Sequence, residues 1–161
     1  MQILHDTMKH LVVLHEDLIQ LSNKKTEEIK QGDMEQLSKT LMDERKQIQA
    51  ITQTEEKRQA LVEDLFMKVN PDVEEKTVTT LLAHIDNDEY KQQLEDVVAL
   101  LIDAIVQLRQ VEQLNQELMA QSMQFVQLSL DMLQPSIQRM NYDEKQTIQD
   151  SVKQSVFDSK A

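Results

Sequence analysis

Residues 97–133 read VVALLIDAIVQLRQVEQLNQELMAQSMQFVQLSLDML, 37 positions without a glycine or a proline. Val97, Leu101, Ala104, Leu108, Val111, Asn115, Leu118, Ser122, Phe125, Ser129 and Met132 follow alternating steps of four and three. That is heptad spacing, and it predicts a long helix with a coiled-coil seam. Further apolar residues lie off the seam: Val98, Ile102, Ile105, Leu114, Met119, Met123, Val126, Leu128 and Leu130. One seam needs a narrower stripe, so apolar surface is left over for a partner.

Working outward, the same spacing recurs. Leu4, Met8, Leu11, His15, Leu18, Ser22, Lys25 and Ile29 predict a helix over about 2–30, with a polar second half to its seam. Met34, Leu37, Leu41, Glu44, Ile48, Ile51, Glu55, Arg58, Val62, Leu65 and Val69 predict another over 33–69. Gly32-Asp33 between them fits either a turn or a kink, with Asp33 a capping residue and Gln36 three places on. Glu55 and Arg58 are spaced to pair on one helix face. Asn70-Pro71 ends the second helix, because the residue before proline avoids the α region. A short amphipathic segment with apolar positions Val78, Leu81, Leu82 and Ile85 is expected over 73–87, and the third long helix over 88–133. Gln134-Pro135-Ser136 opens a linker to about 142, and Ile148, Val152 and Val156 mark a weakly amphipathic tail helix over 143–158. The expected fold is all-α: an elongated antiparallel helical bundle or coiled coil of three long helices, a short helix and a C-terminal helical tail. Residues 1–133 form the bundle and 134–161 the linker and tail. The tail is expected to occupy a groove that a partner also uses.

Composition narrows the function. The 161 residues include one glycine, Gly32, and two prolines, too few for a turn-rich β fold. The net charge of −12 repels phosphate backbones and argues against nucleic-acid binding. There is no cysteine, which fits a reducing cytoplasm. The N-terminus lacks the pattern of a signal peptide, and the apolar run 97–108 is cut by Asp103 and too short to span a bilayer, so neither secretion nor membrane insertion is expected. His5, His10 and His15 are five apart, about 140° around a helix, whereas helix-borne metal ligands need spacings of three or four. No glycine-rich phosphate loop or nucleophile elbow occurs. These patterns predict no catalysis, no metal and no cofactor.

Two stretches resemble the FlgN family. One comprises Gly32-Asp33, Leu37, Leu41, Arg45-Lys46, Ile48, Ile51, Glu55-Glu56, Arg58 and Leu61-Val62. The other, Leu114-Asn115-Gln116-Glu117-Leu118-Met119-Ala120-Gln121-Ser122-Met123-Gln124-Phe125, is similar to the family's Asn-Gln-x-Leu-[Leu/Ile]-x-Gln-Ser-Leu-x-[Phe/Tyr] signature. The likeness spans about 1–142. It departs at Glu112, where the family often has asparagine, at Met123, usually leucine, and at Tyr142-Asp143, where the family's tail tyrosine often neighbours glycine. The resemblance implies a cytoplasmic chaperone of type III flagellar export. Such a chaperone binds the C-terminal helices of the hook–filament junction proteins FlgK and FlgL and brings them to the export gate component FlhA. It implies client contact through the third helix, at Leu114, Leu118, Met119, Ser122, Met123, Phe125, Val126 and Met132, and gate docking through Tyr142. The heptads alone also suit a structural coiled-coil or adaptor protein without client transfer, and they leave a homo-oligomer open.

Overall fold

A computed structural model describes the backbone of residues 2–158 apart from 71, and the side chains of these residues as far as Gln134. Its elements are α1 (Gln2–Gln31), α2 (Met34–Val69), α3 (Val78–Leu82) and α4 (Asp88–Asp158), with no strand among the described residues. The chain divides into two units, Met1–Leu118 and Met119–Ala161.

Within Met1–Leu118, Gly32 makes a turn rather than a kink. Its φ of +69° lies in the left-handed region, which glycine enters without a Cβ penalty. Asp33 N–H bonds back to the Glu28 carbonyl at 3.0 Å, closing α1. The Asp33 carboxylate accepts from Gln36 N–H at 3.0 Å, opening α2. The chain therefore reverses. Cross-helix hydrogen bonds link Thr40 to Glu28, Lys25 to Glu44 and Gln47 to the Leu14 carbonyl. Their sequence separations grow as 12, 19 and 33, the mark of an antiparallel pair. Ser22, Lys25 and Thr26 of α1 instead bond Glu112 and Asn115 of α4 at separations of 87 to 93. A nearly constant separation means that α4 runs parallel to α1.

The apolar core sits toward the start of α1. Leu4, Met8 and Val12 meet Val62 and Phe66 of α2, Val78, Leu81 and Leu82 of α3, Ile85, and Leu94 and Val97 of α4. Thr77 caps α3, its hydroxyl accepting from Thr80 N–H at 3.1 Å. The helix over 73–87 is thus confined to five residues. Asn87 accepts from Tyr90 N–H and starts α4 instead. The apolar positions anticipated there, Val78, Leu81, Leu82 and Ile85, are all buried.

Farther along the bundle the seam turns polar. Lys25 Nζ contacts Glu44 at 2.8 Å and Glu112 at 2.9 Å, with its side chain 11% exposed. Burial works against the ammonium, but the hydrogen bonds and charges of Glu44 and Glu112 outweigh it and hold the Lys25 pKa above its ordinary value. Asn115 Nδ2 donates to the Ser22 carbonyl at 2.9 Å, and Asn115 Oδ1 accepts from Thr26 Oγ1 at 2.6 Å. Ser22, Lys25 and Asn115, polar where a heptad expects apolar residues, thus satisfy one another across the helices.

In α2 the seam differs from expectation. Leu37, Glu44 and Val62 are buried and Ile51, Arg58 and Leu65 half-buried, but Met34, Leu41 and Ile48 are 67%, 48% and 52% exposed. Thr40, Gln47 and Thr54 turn inward instead. Polar groups of α1 account for the first two: Thr40 donates to the buried Glu28 carboxylate and Gln47 to the Leu14 carbonyl, while Thr54 bonds within α2 to the Ala50 carbonyl. An apolar residue at either of the first two leaves a buried acceptor unmet, at a cost of about 1–3 kcal/mol. Glu55 and Arg58 do pair, through two bonds of 2.6 and 2.8 Å.

In α4 the predicted seam is followed from Val97 to Leu118, every member of it buried or half-buried. The helix continues to Asp158. The backbone over 134–142 is therefore helical, where Pro135 led to the expectation of a linker. Proline's fixed φ is compatible with a helix, and it forfeits one backbone donor. The side chains of the tail, its expected groove contacts included, lie outside the described residues.

Both ion-pair sites can be tested by unfolding. Lys25→Met leaves two carboxylates facing each other with no cation between them. It should cost about 3 kcal/mol in urea unfolding, the lower end for a broken buried pair because Glu112 is a third exposed. A variant of unchanged stability contradicts this reading. The Arg58 guanidinium, acting against partial burial, holds the Glu55 pKa below its ordinary 4.5. A carboxylate with a depressed folded pKa contributes stability above its unfolded pKa and loses it as pH falls through the folded one. Arg58→Met should therefore destabilise at pH 7, and the gap to the parent should narrow below pH 4.5.

Candidate functional site

Within Met119–Ala161, the described side chains run from Met119 to Gln134. All are exposed except Ser129, which is intermediate. Met123, Phe125 and Met132 are 70–71% exposed, and Val126, Leu128, Leu130 and Leu133 exceed half. Local bonds order the polar side: Gln127 Nε2 donates to Asp131 at 2.9 Å, and Ser129 Oγ to the Phe125 carbonyl at 2.8 Å. Asp131 is the single charged residue from 119 to 134.

The apolar residues fall on two faces. At about 100° per residue, Met119, Met123, Val126, Leu130 and Leu133 lie within roughly 40° of one line along the helix. Phe125, Leu128 and Met132 cluster roughly 150° away. Of the residues assigned to client contact, Met119, Met123 and Val126 share the first face, with Ser122 beside it. Phe125 and Met132 share the second. In Met1–Leu118, Leu114 is 44% exposed and Leu118 half-buried. The side chain of Tyr142 lies outside the described residues. Leu128, Leu130 and Leu133 were not assigned to client contact, although they lie off the predicted seam just as Met119, Met123 and Val126 do. Their signal was the excess stripe width itself.

Asn115, the leading residue of the signature, is 3% exposed and bonded within the polar layer. It sets helix register and is not surface for a partner. Glu112, the departure from the pattern, accepts from Lys25 and Ser22 in the adjacent layer.

Neither catalytic nor metal chemistry finds a constellation among the described residues. A recess of about 350 Å³ in Met1–Leu118 is walled by Met8, Leu11, Ile51, Val98, Leu101 and Ile105. Its polar lining is His15, Glu55 and Arg58. Glu55 and Arg58 hold each other, and His15 Nδ1 sits 2.7 Å from the Leu11 carbonyl. No hydroxyl or thiol lines it. His5 is 6% exposed, nearer the core than a solvent-facing or seam-edge histidine, and His10 is exposed. No group of three His, Asp or Glu side chains is placed to hold a metal ion, and no helix is long and apolar enough to cross a membrane, among the described residues.

The FlgN protein family matches residues 1–150. A Bacillus subtilis (strain 168) protein, named Uncharacterized protein YvyG, is 37% identical over 158 residues, which cover 97% of this chain and 96% of that protein. No solved structure gives a significant match. A family match over nearly the whole chain, on a helical bundle whose buried polar layer contains the signature asparagine, establishes that the chain belongs to the FlgN family of flagellar export chaperones.

Proposed function

We propose that the chain binds the C-terminal helices of the hook–filament junction proteins FlgK and FlgL in the cytoplasm, keeps them soluble, and brings them to the export gate component FlhA. The observation that carries this reading is α4 between Met119 and Gln134, an exposed apolar helix with one charge. An amphipathic client helix has an apolar face that self-associates in water, and a second apolar helix covers it. Methionines at 119, 123 and 132 suit this task, because a flexible, polarisable side chain repacks against different clients. The chain's net charge of −12 keeps the complex from aggregating. The role is one of binding, without catalysis. The contact set is Met119, Ser122, Met123, Phe125, Val126 and Met132, with Leu114 and Leu118 before them on the same helix. Tyr142 serves at the gate.

A structural coiled coil without client transfer is the second reading. It is favoured by the seams of α1 and α4, and disfavoured by the apolar surface that those seams leave exposed.

Size exclusion with FlgK and FlgL C-terminal fragments tests the proposal, and no shift at micromolar concentration sinks it. Phe125→Ala should weaken client binding about tenfold, as loss of a central aromatic anchor does, and leave the urea midpoint unchanged. Asn115→Ala should do the reverse, lowering stability by about 1–3 kcal/mol with little effect on affinity of the folded chain. Tyr142→Ala should retain the client and lose FlhA in a pull-down. Retention of FlhA contradicts the docking role.

A further inference from the structure

Residues 119–134 hold three of the chain's nine methionines, Met119, Met123 and Met132. Met123 and Met132 are 70% and 71% exposed and Met119 39%, while Met8, in the core, is 3% exposed. Leucine gives a helix comparable apolar surface, as Leu128, Leu130 and Leu133 do in the same segment, and the pattern that this stretch resembles usually has leucine at 123. What methionine adds is an oxidisable sulfur. The chain has no cysteine to react first, so its accessible thioethers are the sulfur groups open to peroxide. The reaction is a two-electron oxidation. A lone pair of the thioether sulfur attacks one oxygen of a hydroperoxide, the O–O bond breaks and an S–O bond forms. The other oxygen leaves as water or an alcohol, taking the proton of the transferred oxygen. Sulfur is oxidised and the peroxide reduced. The sulfoxide is polar and accepts hydrogen bonds. Against the apolar face of a partner helix it meets no donor, so burying it there is unfavourable, whereas water solvates it readily.

We propose that Met119, Met123 and Met132 are peroxide-oxidation sites that switch client binding off. As thioethers they cover the client's apolar face; as sulfoxides they favour water over it. Enzymatic reduction of the sulfoxides restores the site, so the switch is reversible. The inference rests on the client-binding reading of α4.

The test treats the full chain with hydrogen peroxide, removes the oxidant, and then titrates FlgK and FlgL C-terminal fragments that have never met it. Peptide mass spectrometry should find sulfoxide at Met123 and Met132 well before Met8. Client affinity should fall at least about tenfold, circular dichroism should be unchanged, and methionine sulfoxide reductase should restore binding. Met34, Met42 and Met67 of α2 are 67%, 63% and 61% exposed and oxidise as well. The triple variant Met34→Leu, Met42→Leu, Met67→Leu should nevertheless stay as peroxide-sensitive as the parent. The variant Met119→Leu, Met123→Leu, Met132→Leu, compared with its own untreated sample, should lose no affinity to peroxide. Undiminished affinity of the oxidised parent, a loss that the reductase does not reverse, insensitivity of the α2 variant, or equal loss in the α4 variant overturns the inference and leaves the proposed function intact. An untreated parent that binds neither fragment sinks the proposed function, and this inference with it.

Discussion

The Lys25 ammonium between the Glu44 and Glu112 carboxylates ties three helices at one level. Heptad seams of Leu, Ile and Val tolerate sliding by a whole repeat, because one apolar layer resembles the next. A buried cation does not: a shift leaves it, or one of its partners, uncompensated. Asn115, held by Ser22 and Thr26 one turn on, adds a second constraint of the same kind. Together they fix how far α4 runs beside α1. The buried seam consequently ends at Leu118, and the apolar residues from there to Leu133 stay exposed.

The two regions of α4 therefore answer to different demands. Up to Leu118, the seam carries stability and register. From Met119 onward, exposed apolar side chains cost solubility, which makes sense only if another helix covers them. The segment's two faces extend this division, since a single partner helix covers only one of them.

Much of the fold was legible in the sequence because it rests on periodicity. The α1 and α4 seams, the Asp33 cap and the Glu55–Arg58 pair follow from spacing and residue type. The orientation of α2 was not legible. Thr40, Gln47 and Thr54 look like surface residues, and the polar groups of α1 that Thr40 and Gln47 meet explain why those two turn inward while Met34, Leu41 and Ile48 face out. The segment 73–87 had the right apolar positions, but its helix is one short turn capped by Thr77. Pro135 signalled a break where the helix continues. For the candidate site, the stripe width pointed to the right stretch of α4. The seam spacing placed Asn115 on the buried line but gave no warning that Phe125 and Met132, on the same line, are exposed, because burial depends on where the partner helices stop.

Amide hydrogen exchange on the full chain, with and without a junction-protein C-terminal segment, distinguishes a client-binding α4 from a merely structural one. Client should slow exchange over residues 119–134 and leave 88–118, already protected in the bundle, unchanged. Slowing confined to α1 and α2, or none at saturating client, contradicts the assignment of client binding to this part of α4.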